Sequence, residues 1–381
     1  MFQFIQQQQD LAVLLSQMEA NSIYALDTEF IKVDTLYPKL GVLQINLNGQ
    51  VLLLDGAALD FTQFWQKIYA SPQNIFHACS EDIDLIYHYA QQRPLHNVFD
   101  TQVAMAFLGH GLQVSYQNAL KTCLDIDIEK DQTRSDWLAR PLSQEQLSYA
   151  ANDVLYLMQL AEALKNQLQQ KGIYDFVLQD CQSLTKEIAM QTPLDELYSD
   201  IGNYRHSRRE LMQLQQLSVW RDHITKAMNL PRSFILKNGT MHDLVEKQPQ
   251  NNFQLAKVKE IRQSVIREHG KTILDLLQNL PPEDQWPEKL ARPVKHNSKE
   301  VAPKVEALID SVVLATSIPK EVLLRKKWLN AIYKHVVFAT DEQDLPSYLL
   351  GWRYDMLTQP LIALLRQDSD FLAEQMKNSK A

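Results

Sequence analysis

The 381-residue chain is 45% hydrophobic, which leaves room for two or three domains with real cores, and its three cysteines (Cys79, Cys123, Cys181) have neither paired spacing nor a metal-ligand pattern. That argues against a disulfide framework and points to a reduced, cytoplasmic protein; no basic leader opens the chain and no eighteen apolar residues run together, so neither secretion nor a membrane partner is expected. The net charge of −8 hides an asymmetry: residues 1–170 hold 9 Lys and Arg against 19 Asp and Glu, whereas the remainder is mildly basic, as an acidic catalytic half followed by a nucleic-acid grip would be.

In chain order, residues 1–21 read as an amphipathic helix with Phe4, Leu11, Leu14, Leu15 and Met18 at helical spacing. The apolar run Ile23 to Leu26 then reads as a buried strand that ends in Asp27-Thr28-Glu29-Phe30. Alternate side chains of a strand share a face, which sets Asp27 and Glu29 side by side, about 6–7 Å apart. Two such anions need a compensating cation or many hydrogen bonds if buried, and hard oxygen donors suit Mg²⁺ or Mn²⁺. Alone, the pair could equally be a strand running out into solvent.

Residues 41–47 and 50–55 flank Asn48-Gly49, a type I′ hairpin signal, so three strands in a meander are expected. A helix over about 60–70 follows, then a short strand through Asn74 to Cys79, with Ser80 placed to cap the next helix. Asp82 falls in that helix's first turn, where a carboxylate also complements the helix dipole; Glu81 and Asp84 compete with it as ligands. His77 reads as a packed strand histidine, since no HExxH or histidine pair supports zinc. Another strand near Val98 to Thr101 and two helices lead to Asp131. Ser143 and Gln146 form a capping box that opens one long helix closed by Gly172, and Tyr149 and Asp153, four apart, share its face with the small Ala150 and Ala151 between them. Antiparallel strands followed by alternating helices and strands imply an α/β mixed sheet flanked by helices, the ribonuclease H-like arrangement. No phosphate-binding GxxxxGK loop or dinucleotide fingerprint occurs.

Beyond residue 172 the chain is helical. Leu230-Pro231-Arg232-Ser233-Phe234-Ile235-Leu236-Lys237 matches Ile318-Pro319-Lys320-Glu321-Val322-Leu323-Leu324-Arg325 in residue type without a gap, an 88-residue offset that implies two copies of a helical domain. Pro281, Pro282, Pro287, Pro293 and Pro303 mark a linker between them. The segments 204–209 and 325–328 offer phosphate contacts with an aromatic alongside, although Trp328 also suits a core, as do Trp220 and Trp352.

Together, Asp27, Glu29, Asp82, Tyr149 and Asp153 resemble the three exonuclease motifs of the DEDD superfamily, tyrosine subtype, and the stretches around them, with Ser135-Asp136-Trp137-Leu138-Ala139-Arg140-Pro141-Leu142, resemble the bacterial ribonuclease D family. The resemblance implies a 3′-5′ exonuclease domain (1–192), a first helicase-and-RNase-D C-terminal (HRDC) domain (204–280), a proline-containing linker (281–303) and a second, more divergent HRDC-like domain (304–381). It implies release of nucleoside 5′-monophosphates from RNA 3′ ends, with precursor tRNA and small structured RNA as partners and no obligate protein partner, hence a monomer. Two divalent ions, Mg²⁺ or Mn²⁺, would be held by Asp27, Glu29, Asp82 and Asp153, with Tyr149 orienting the attacking water. Tyr37, Gln44 and His77 are the candidate substrate contacts. A DNA exonuclease and a non-catalytic RNA-binding scaffold are the alternatives, the second weakened by the presence of all four carboxylates and the tyrosine.

Overall fold

A computed structural model describes residues 2–90, 92–128, 135–190, 192–291 and 301–368. Asp131, Pro293 and the last residues of the predicted second helical domain lie outside them. Two compact units emerge: Met1–Ile31 with Lys39–Met190 and Val294–Ala381, and Lys32–Pro38 with Gln191–Pro293.

The first unit is built on a sheet of β1 (Phe2–Ile5), β2 (Tyr24–Ile31), β3 (Lys39–Leu47), β4 (Gln50–Asp55), β5 (Asn74–Phe76) and β6 (Val98–Asp100), in the order β1-β4-β3-β2-β5-β6. The β2-β3-β4 meander is antiparallel, and its Asn48-Gly49 turn has both residues at positive φ (53° and 88°), as a type I′ hairpin requires. β1, β5 and β6 join in parallel, which makes the sheet mixed as expected. The predicted first helix is corrected here. Phe2–Ile5 is a strand paired to Val51–Leu54, and the helix α1 is confined to Gln8–Gln17. Four residues cannot separate a period of two from one of 3.6, and the pairing that decides the matter is about fifty residues away in the chain.

Helices α2 (Thr62–Ala70), α3 (Ser80–Tyr89), α4 (Thr101–Phe107), α5 (Tyr116–Leu124), α6 (Gln144–Leu155), α7 (Leu157–Gln170) and α8 (Tyr174–Ala189) complete the sheet region. The single helix expected over 144–171 is two. Buried Asn46 on β3 donates its amide to the carbonyls of Val154 (3.0 Å) and Leu155 (3.2 Å), satisfying the end of α6 at the point where the chain turns into α7. Ser80 is the first helical residue of α3 and Cys79 takes the cap position, so the predicted Ser80 cap is also corrected.

The second unit holds α9 (Arg208–Met228), α10 (Arg232–Ile235), α11 (Asn238–Lys247), α12 (Asn252–Leu255) and α13 (Gln263–Gln278), packed on a separate core of Leu211, Leu214, Leu217, Leu236, Met241, Leu244 and Ile273. In the first unit, α14 (Ala302–Thr316), α15 (Lys320–Leu323), α16 (Lys326–Phe338) and α17 (Gln359–Gln367) share one continuous core with the sheet region. The repeated sequence takes the same backbone path twice. A left-handed residue closes the preceding helix (Asn229, φ 49°; Ser317, φ 58°), a proline caps a four-residue helix (α10, α15), and an extended leucine follows (Leu236, φ −143°; Leu324, φ −147°). Trp328 and Trp352 are buried as expected, while Trp220 is only half-buried, against His269.

Candidate active site

β2 carries Asp27 and Glu29 on one face, and a register shift follows immediately between Glu29 and Phe30. α6 lies against the sheet with Ala150 and Ala151 buried, and this close approach aims Asp153 at the pair. Carboxylate oxygens of Asp27, Glu29 and Asp153 all lie within 4.8 Å of one another. Asp82 arrives from the first turn of α3, buried, and accepts a 2.5 Å hydrogen bond from the Thr28 hydroxyl. Three carboxylates from β2 and α6 therefore meet, and Asp82, outside that 4.8 Å set, adds a fourth charge from α3. None of the α3 carboxylates joins Asp27, Glu29 and Asp153 within 4.8 Å, but Asp82, rather than its competitors Glu81 and Asp84, is the one whose charge is felt at all three.

The electrostatics follow from that geometry. Burial is the largest cause of each shift, and repulsion adds to it: from Asp82 and Asp153 at both Asp27 and Glu29, from Asp82 at Asp153, and from Asp100 at Asp82. Asp27 is raised well above the usual carboxylate range, by burial and then by Asp82, Asp153 and Glu29. Glu29 is pushed up to about 8 and Asp153 to about 7, both chiefly by burial. Asp82 reaches about 6, its rise opposed by the Thr28 hydrogen bond. Among the described residues no lysine or arginine pairs with any of the four. A clustered, half-buried, hard-oxygen donor set with no cation paired to it among the described residues fits divalent ions such as Mg²⁺ or Mn²⁺.

The surroundings explain how the cluster is held. Asp100, at the end of β6, accepts hydrogen bonds from the backbone N–H groups of Ala78 (2.9 Å), Cys79 (3.0 Å) and Gln102 (2.8 Å). Ala78 sits at φ 62°, so the carboxylate holds a strained turn that delivers Asp82. The segment Asp136–Arg140 is fastened to the sheet: Arg140 donates to Asp55 through Nε (2.8 Å) and Nη2 (2.5 Å), to Gly41 O (2.9 Å) and to Trp137 O (2.9 Å). Gly41 permits that approach, since a Cβ there would stand 2.6 Å from Trp137 O. Trp137 in turn packs beside Tyr149, ring centroids 6.1 Å apart. Sequence reading used this stretch only as a family signature, whereas its physical role is to position Tyr149. Tyr149's phenol is raised by burial and then by the charges of Asp153, Glu29 and Asp27, so at neutral pH it stays protonated. Tyr116, which sequence reading missed, is a second buried phenol without a hydrogen-bond partner, and after burial the charge of Asp153 is the main influence on it.

Of the three predicted substrate contacts, Gln44 and His77 have their side-chain groups engaged within the first unit. Gln44 is fully buried opposite Asp27 on β3, and its amide nitrogen, turned to satisfy the local network, donates to Asp27 O (2.7 Å) and Val42 O (3.3 Å). His77 has both ring nitrogens engaged, Nδ1 with Thr101 Oγ1 (2.8 Å) and Nε2 with Val114 O (2.9 Å). Tyr37 belongs to the second unit, where its backbone N–H donates to Asn229 Oδ1 (3.1 Å). Of the suggested phosphate contacts, Arg208 is committed to the carbonyls of Glu283, Trp286 and Pro287, while Arg205, Arg209, Lys326 and Lys327 are exposed.

Comparison with known proteins agrees with this architecture. A 3′-5′ exonuclease family matches residues 2–169, and the HRDC domain family matches residues 210–277. A ribonuclease D of Pseudomonas paraeruginosa is 30% identical over 95% of this chain and 97% of its own. One of a Shewanella species is 31% identical over 95% and 94%. The crystal structure of Escherichia coli RNase D, described as an exoribonuclease involved in structured RNA processing, superposes with a TM-score of 0.89 at 26% identity, covering 96% of this chain and 99% of that one. The convergent carboxylates, the exonuclease and HRDC matches and relatives aligned nearly end to end lead to one conclusion: the chain belongs to the ribonuclease D family.

Proposed function

We propose that this 3′-to-5′ exoribonuclease works with two divalent ions held by Asp27, Glu29, Asp82 and Asp153, and that it trims the 3′ tails of precursor tRNA and other small structured RNA. Membership of the ribonuclease D family carries the activity. The observation that carries the metal reading is the convergence of half-buried Asp27, Glu29 and Asp153, with the charge of buried Asp82 felt at all three and no cation paired to any of the four among the described residues. Bound there, divalent ions would supply an activated water and charge neutralisation at the phosphate and the leaving 3′ oxygen. Asp27, Glu29 and Asp153 would hold metal on the side of the attacking water, and Asp82, held by Thr28, would do so on the leaving-group side, with Asp27 serving both. Tyr149 orients that water through its neutral hydroxyl, and Trp137 keeps the ring in place.

The tyrosine subtype follows from Tyr149 standing four before Asp153 on α6. A second HRDC-like domain over 304–381, after one over 204–280, is supported by the duplicated helix-proline-helix path, and a 1–192 exonuclease domain by the shared sheet core. Substrate class rests on the relatives: the E. coli enzyme's role in structured RNA processing is the nearest support for tRNA-like substrates. A monomer in the cytoplasm completes the reading. No helix among the described residues is long and apolar enough to cross a membrane. The test compares a 3′-tailed tRNA, its 3′-blocked copy and a matched DNA oligonucleotide, each with Mg²⁺, Mn²⁺ or chelator. Metal-dependent release of nucleoside 5′-monophosphates from the free 3′ RNA end alone is the expected result; activity in chelator, or equal cleavage of DNA, would overturn it.

A further inference from the structure

The second unit contains a cavity of about 340 Å³ between α9, α10 and the start of α11. Arg221, Arg232, Lys237, Ser218 and Ser233 line it, together with Asp200, an exposed residue and the one acidic side chain of the described lining. Arg221 is the unusual member. It is only 7% exposed, yet no carboxylate pairs with it among the described residues. Its Nη1 donates to Leu236 O (2.7 Å) and Asn238 Oδ1 (2.9 Å), both neutral acceptors. A guanidinium carries five N–H donors, so those on Nε and Nη2 remain without a protein acceptor. The neighbouring Asp222 does not serve them, because its oxygens pair with Lys226 (2.8 Å) and Arg232 (2.8 Å). Lys237 is loosely paired with Glu260 at 3.6 Å, both half-exposed. Burial and then the like charge of Arg232 both disfavour the Arg221 cation, lowering its pKa to about 10.

A buried cation with free fork-shaped donors, facing a cavity that holds two more cations and two hydroxyls, lacks only an anion. We infer that this cavity is a phosphate-binding site in the first helical domain, with Arg221 as its bidentate anchor and Lys237, Ser218 and Ser233 around it. The ligand chemistry is a phosphate group, carried either by the backbone of an RNA strand or by a free nucleoside monophosphate. The site is separate from the carboxylate cluster and does not depend on the metal reading.

The test titrates the full chain, in chelator and at matched chloride ionic strength, with inorganic phosphate, 5′-AMP and a 3′-blocked RNA trinucleotide, followed by calorimetry and phosphorus NMR. Saturable binding by the unmodified protein is expected, weakened about tenfold by Arg221→Lys, which keeps the charge but loses the fork, and about threefold by Lys237→Gln. Thermal melts establish that each variant is folded, and if Arg221→Lys does not fold, Lys237→Gln alone decides. Tighter binding of the trinucleotide assigns the site to the RNA backbone, and tighter binding of 5′-AMP or phosphate assigns it to a free monoester; both support the site. Absence of saturable binding, or equal binding by the unmodified protein and the folded variants, would overturn it.

Discussion

A buried carboxylate on α8 and the carboxylate cluster of the first unit are treated in opposite ways. Asp180 on α8 is enclosed by the guanidinium of Arg353, which donates through both Nη atoms, with Nη2 at 2.7 Å from Oδ2, while Trp352 Nε1 donates from 3.0 Å. Arg353 uses its remaining donors on the carbonyls of Val322, Leu323 and Tyr348, so no part of the pair is left unsatisfied. At Asp27, Glu29, Asp82 and Asp153, burial and repulsion by neighbouring carboxylates push all four pKa values up. A carboxylate kept for architecture comes with its cation built in. The four clustered carboxylates have no such partner among the described residues, and the fold bears their repulsion. The same contrast separates the two helical regions: α9 to α13 rest on their own core, whereas α14 to α17 are fused to the sheet region through the Asp180–Arg353 pair and the stacking of Trp352 on Phe176 at 4.6 Å.

The contrast can be broken from either side. Asp27→Ala should have the largest effect, a loss of hydrolysis of about 10³-fold or more, equivalent to about 4 kcal/mol of transition-state stabilisation, in a steady-state assay on 3′-tailed RNA. Asp180→Asn should do the reverse. It leaves Arg353 buried beside a neutral amide and should cost about 3–5 kcal/mol of stability in denaturant melts, with the activity per folded molecule little changed. Tyr149→Phe keeps the ring against Trp137 and removes only the hydroxyl, so kcat should fall about 10-fold to 100-fold while stability and KM hold.

A gentler probe is pH. Glu29 at about 8, Asp153 at about 7 and Asp82 at about 6 ionise in the folded protein well above the values of an unfolded chain, near 4. Between those values the folded state binds more protons than the unfolded one, so metal-free stability should be greatest in acid and fall as pH rises through 6 to 8. Saturating Mn²⁺ should flatten that slope, as thermal melts from pH 5 to 8.5 with and without chelator would record. A metal-free stability that rises over this range would show that the four groups are compensated after all.

Much of the site was legible in the sequence because its geometry is local. Asp27 and Glu29 share a face through strand alternation and Tyr149 and Asp153 through helical spacing, and the capping box of Ser143 with Gln146 forms as read. What was not legible depends on contacts distant in sequence. The β1 strand, the break at Tyr156 and the turn at Ala78 are set respectively by β4, Asn46 and Asp100, each on another element. Gln44 illustrates the limit. It was a candidate substrate contact, but the sheet register sets it directly beside Asp27, fully buried and bonded into the sheet. A signal was available there, since Gln44 and Asn46 are polar at alternate positions of an otherwise apolar strand, which marks a face packed against something polar. The Asp180–Arg353 pair, 173 residues apart, leaves no local trace at all.

The most direct test of the central claim is the thermal midpoint of the unmodified protein and of Asp27→Asn, each in chelator and in Mn²⁺. If the four carboxylates form an uncompensated metal site, removing one charge should raise the midpoint in chelator, and Mn²⁺ should raise it strongly in the unmodified protein and little in the variant. A variant that melts lower in chelator, or an unmodified protein indifferent to Mn²⁺, would contradict that account.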